Sequence, residues 1–273
     1  MSEDESTEAG RSPFPAALLI GAGIVFVAIF AAVLLFPVDG KSIVNFGARD
    51  APKASSRFAR VNEADALTAA VDQTFRTHFK AEAAMLDAEL RRVDGSQITG
   101  AEADAIRYRI MRQAMLDNVD HTAAAPRDHM LEMIRSQRDL IVALQLQDEK
   151  LCADFGLRGL GPETRLNTAA QSLADVAGLA QLRATAAGRA DPTRWPPPTR
   201  LDGVLLVRRL EEQALGPALI GKMAGNLQDA SIEDQCRGSV ALYRALAELP
   251  PETGARLMSG IVRESARILQ QSR

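Results

Sequence analysis

The sequence predicts an all-α domain of about six or seven helices behind a single N-terminal transmembrane helix. Three observations predict it. Ala16 to Phe36, AALLIGAGIVFVAIFAAVLLF, carries no charge and no strongly polar side chain. As a helix this stretch spans roughly 31 Å, the thickness of a bilayer's hydrocarbon core. From Asn62 onward, apolar residues recur at steps of three and four, the period of a helix with one buried face. No strand-like run bounded by hairpin turns interrupts them.

The chain divides accordingly. Residues 1–15 form an acidic tail expected to be disordered, with Glu3, Asp4, Glu5 and Glu8 against Arg11. Residues 16–36 form the transmembrane helix. The acidic flank before it and the missing Ala-x-Ala site after Phe36 argue for a retained anchor over a cleaved signal peptide. On this helix Ala17, Gly21, Ala28 and Ala32 fall within about 60° at 100° per residue. Small residues let helices approach closely in lipid, so this face suits association into a homodimer. Residues 37–61 are a tether containing Pro37, Gly40, Gly47 and Pro52. Residues 62–273 are the all-α domain, with a long-helix part at 62–156 and a compact lobe at 162–273.

The first helix of the domain is expected from Glu63 to Val93, capped by Asn62 and stopped by Asp94-Gly95. A Thr99-x-x-Glu102 capping box starts the second at Gly100, with Ile106, Ile110, Ala114 and Val119 inward. Pro126 fits the first turn of the third, which runs past Met130, Ile134, Ile141, Leu144 and Leu151 to a stop at Gly156. The fourth follows Pro162, places Leu166, Ala169, Leu173, Val176 and Ala180 inward, and closes at Gly188. After the irregular Arg189 to Asp202, a fifth helix spans Gly203 to Leu215 and breaks at Gly216-Pro217. Ser231 starts a sixth, with Ile232, Cys236, Val240, Tyr243 and Leu246 inward, and Pro250-Pro251 ends it. A last helix carries Met258, Ile261, Val262, Ile268 and Leu269.

Charge narrows the function classes. The chain holds 32 Lys and Arg against 35 Asp and Glu. Removing the acidic tail leaves 31 of each, and aromatic residues make up 4%. A neutral, aromatic-poor domain lacks the field and stacking surface of a nucleic-acid binder. Arg far outnumbers Lys, and with the many Ala this points to a GC-rich, bacterial genome.

Catalytic and metal motifs are weak. His121 and His129 have carboxylates nearby but no ligand spacing of the usual kind, so no metal or other cofactor is expected. The Gly156–Pro162 run follows a helix instead of a strand, which suits a helix-ending turn better than a phosphate cradle. Trp195, the sole Trp, sits between Arg194 and three prolines, with Arg200 beyond. Arg194, Trp195 and Arg200 are candidate partner contacts, since Trp and Arg are enriched at binding hot spots. The alternative is that Trp195 pins the connection onto the domain. Cys152 and Cys236 are the only cysteines, either a free buried pair or one disulfide.

Orientation is read from two opposing signals. Lys41, Arg49 and Lys53 favour a cytoplasmic domain, but large domains behind a short tail are exported largely regardless of charge. Export to the periplasmic side of a bacterial inner membrane is the preferred reading. The expected function is a membrane-anchored, non-enzymatic helical interaction or scaffold protein of the cell envelope. Its rivals are an anchored ligand-sensing domain with an interhelical pocket, and an enzyme whose site assembles only in three dimensions.

Overall fold

The computed structural model describes residues 54–94, 100–160, 164–225 and 227–271, with the side chains of the first helix described from Ala66 on. The expected acidic tail and the stretch read as a transmembrane helix, with its Ala17, Gly21, Ala28 and Ala32 face, lie outside these residues. Among the described residues no strand occurs, and no helix is long and apolar enough to cross a membrane.

Eleven helices, more than the sequence predicts, make up the described chain: α1 (Ala54–His78), α2 (Lys80–Asp94), α3 (Gly100–Asp117), α4 (Val119–Ala123), α5 (Arg127–Gln147), α6 (Glu149–Arg158), α7 (Thr168–Ala190), α8 (Arg200–Glu212), α9 (Pro217–Gly225), α10 (Ile232–Glu248) and α11 (Pro251–Gln271). A 3-10 turn, Leu227–Asp229, precedes α10.

Three of the four additional helices come from breaks that lack Pro or Gly, at Phe79, Asn118 and Asp148; the fourth, α9, is the continuation beyond Gly216-Pro217. The expected first helix begins earlier, at Ala54, and is interrupted at Phe79. Phe79 is fully buried and its ring stacks on Phe75 with centroids 5.5 Å apart, so tertiary packing fixes the interruption. The expected third helix splits at Asp148, whose extended backbone and side chain cap a new helix by accepting from Leu151 N at 2.9 Å. Pro126 is the N-cap of α5, not a residue of its first turn.

Two glycines expected to end helices lie inside them instead. A Cβ on Gly156 would collide with the side chain of Ser239 on α10, and one on Gly188 with the carbonyl of His121 in α4. Both are kept small by helices that touch at backbone distance. The real stop after α6 is Gly159, at φ 87°.

Two helices organise the packing. The Ala-rich α7 packs against α1, α4 and α5 and is buried nearly all round, with Ala170, Ala174, Ala177, Leu182 and Ala184 at 0% exposure. This corrects the inward stripe read for that region: Val176 is 38% exposed. Helix α10 packs against α5, α6, α8 and α11, although Ile232 in its first turn is 49% exposed and not inward. Helix α5 lies against both hubs, held to α7 at one end by Arg183–Glu132 and at the other by Gln147, which accepts from Asn167 N. A single apolar core runs from Val71 to Val262 through both parts that the sequence separates.

Candidate functional site

Cys152 on α6 and Cys236 on α10 are joined, with Cα atoms 5.1 Å apart and sulfurs at 2.06 Å. Both are buried. The seam that brings them together is the one in which Gly156 meets Ser239, one turn along each helix. The 5.1 Å separation of the two Cα atoms lies within the range a disulfide spans.

The connection from Asp191 to Thr199 is tied down along its length. Thr193 N donates to Ala124 O at 2.8 Å, and the indole Nε1 of Trp195 donates to Ala125 O at 2.9 Å. Arg263 donates to the Trp195 carbonyl, and Pro198 fills the space above Gly260. At the far end Thr199 and Asp202 form a reciprocal capping box. Asp202 also takes two hydrogen bonds from Arg256 on α11, at 2.9 and 2.7 Å. Burial raises the Asp202 carboxyl, but the Arg256 guanidinium and then the Thr199 backbone and hydroxyl outweigh it, holding the group at about 2.

Trp195 is therefore buried, at 7% exposure, and cannot be a contact residue; the indole is the pin. Its neighbours are different. Arg194 and Arg200 are exposed and form no ion pair among the described residues. Next to Arg200 on α8, Leu201 is 65% and Val204 57% exposed, while Asp202, Leu206 and Leu210 face the core. The pinned connection and the outer side of α8 thus carry two unpaired cations beside two exposed aliphatic side chains. The sequence reading named the two cations, but it assigned no role to Leu201 or Val204.

Buried polar groups also occur elsewhere among the described residues. Asp175 on α7 is 4% exposed and takes one long hydrogen bond, from Gln171 at 3.4 Å. Burial pushes its carboxyl up to about 6. Tyr243 donates to Gln137 at 2.5 Å across the core. Both amide atoms of Gln181 are buried without a partner among the described residues. His121 is exposed and His129 lies 3.9 Å from Glu132, and no group of three metal-capable side chains forms among the described residues.

One open cleft of about 520 Å³ lies between the α1–α2 interruption and the end of α7, lined by Thr77, His78, Lys80, Glu82 and Arg189 with small alanines between them. It holds neither Asp175 nor a dry apolar wall.

No protein-family model, curated protein or solved structure matches this chain.

Proposed function

We propose that this protein is a membrane-anchored, non-enzymatic interaction protein of the bacterial envelope, and that it contacts a protein partner through Arg194, Arg200, Leu201 and Val204. One observation carries the reading: two unpaired arginines and two exposed aliphatic side chains stand on a segment already immobilised by Trp195, Pro198 and the Thr199–Asp202 box. Arg is enriched at interfaces, and a pre-ordered segment loses little entropy on docking. The uncharged Ala16–Phe36 stretch supports the anchor. The Cys152–Cys236 pair supports an oxidising compartment, and so a periplasmic domain.

The enzyme reading needs a buried titratable group in a pocket, and the lining of the open cleft does not include one. Its walls mix polar side chains with alanines, so a sensor of purely apolar ligands has no support there. The test is a Leu201→Asp/Val204→Asp double variant. It should lose the proteins that co-purify with the wild type from detergent-solubilised membranes while keeping the wild-type melting temperature. Unchanged co-purification would remove this surface from the account.

A further inference from the structure

We infer that the cleft between the α1–α2 interruption and the end of α7 is a binding site for a small oxyanion, a ligand presenting a carboxylate or phosphate group. It uses different side chains from the α8 contact surface, and it stands whether or not that surface binds a protein.

The inference begins at Phe79. Its ring is fully buried against Phe75, and burying it interrupts the helix between His78 and Lys80. The interruption frees the His78 carbonyl from the helical ladder, and Arg189 Nη1 donates to it at 3.0 Å. The Arg189 guanidinium also lies over the Phe79 ring, 5.6 Å from its centroid. Arg189 is thus fixed at the cleft by two contacts, neither of which neutralises its charge. Neither Arg189 nor Lys80 forms an ion pair among the described residues, and both line the cavity with His78 and Thr77.

One acid competes. Glu82 shares the lining, and Asn118 donates to its carboxylate over a long 3.5 Å. The remaining charge still favours an anion, because two permanent cations face one carboxylate. A pre-positioned guanidinium is the donor best matched to a carboxylate or phosphate, since it offers parallel N–H groups in a planar fork. A volume of about 520 Å³ admits a ligand of several heavy atoms. The Lys80, Glu82 and Arg189 side chains in its open lining favour a hydrophilic one.

The test uses the full-length chain in detergent, titrated calorimetrically at constant ionic strength. The probes are inorganic phosphate, citrate, and vesicles of phosphatidylglycerol in phosphatidylcholine. Saturable binding of at least one probe is expected. Lys80→Ala should weaken it about fivefold, by removing a charge-assisted contact, and Glu82→Gln should tighten it by a similar factor. Arg189→Lys, which keeps the charge but not the fork, should weaken it as well. Free phosphate or citrate binding would assign the cleft to a soluble ligand. Vesicle binding alone, with the same sensitivity to Lys80 and Glu82, would assign it to a lipid headgroup. No saturable binding of any probe, or binding indifferent to both Lys80→Ala and Glu82→Gln, overturns the inference. Both of those variants are at side chains outside the core, so folding does not confound them.

Discussion

The indole N–H of Trp195 donates to the carbonyl of Ala125 at 2.9 Å, tying the connection between α7 and α8 to the end of α4. This bond makes Trp195 part of the core and leaves the arginines on either side of the prolines facing outward. Trp195→Ala should cost about 3–5 kcal/mol, the usual loss for a buried Trp. Trp195→Phe keeps most of the packing and should cost about 1–2 kcal/mol, chiefly through the lost hydrogen bond. Denaturant melts measure both. In the free protein, tryptophan emission should be blue-shifted and resistant to acrylamide.

Glycines separate into two kinds. Gly188→Ala drives a methyl into the His121 carbonyl, a backbone atom that cannot turn aside, and Gly156→Ala meets the Ser239 side chain. Each should lower stability by about 2 kcal/mol or more, as overpacking does. Gly203 and Gly221 lie in helices with open space at the Cβ position. Their change to Ala should be neutral or stabilising, by up to about 1 kcal/mol. A set of four thermal melts decides it.

Two buried carboxyls act in opposite directions on stability. The Asp175 carboxyl is raised from 3.8 to about 6 by burial. A raised carboxyl holds its proton more tightly in the folded state, so its contribution is full below about 3.8 and is lost as pH rises through about 6. Asp175→Asn should therefore gain up to about 3 kcal/mol at pH 7.5 and nothing near pH 3.5. The Asp202 carboxyl is held down at about 2, so its contribution is present above 3.8 and is lost as pH falls through about 2. Arg256→Met leaves that carboxylate buried without its partner and should cost about 3 kcal/mol at pH 7. Urea melts across pH 3–8 test both signs.

The bridge between Cys152 and Cys236 closes a loop over a sequence separation of 84. In the chain-entropy model such a loop is worth about 4 kcal/mol. A Cys152→Ser/Cys236→Ser variant should be weaker by up to that amount. In freshly lysed, unreduced cells neither thiol should take up an alkylating reagent. Alkylation of both would contradict the bridge and the oxidising compartment together.

Much of the helical order is legible in the sequence because punctuation is local. Ser231 caps α10 and Pro250-Pro251 ends it, as expected from residue type alone. The breaks at Phe79 and Asp148 are not legible, because a buried ring and a side-chain cap cause them and neither residue is a helix breaker by composition. Gly156 and Gly188 look like stops in sequence, since only the neighbouring helices reveal that their smallness serves contact. The Val176 stripe fails for a related reason: a helix buried nearly all round has no single inward phase to detect. The cleft is the least legible feature. Lys80 and Arg189 are far apart in sequence, and only the fold places His78, whose carbonyl Arg189 holds, beside both. The exposure of Leu201 and Val204 beside Arg200 is legible only in the fold.

The proposed contact surface on α8 is tested most directly by photo-crosslinking in intact cells. A photoreactive amino acid at Val204 should give discrete adducts with a protein of the membrane fraction. The same residue at Ala218, on the exposed side of α9, should give none. Adducts at Val204 that persist when Arg194 and Arg200 are both changed to Glu, or equal labelling from both positions, would contradict the account.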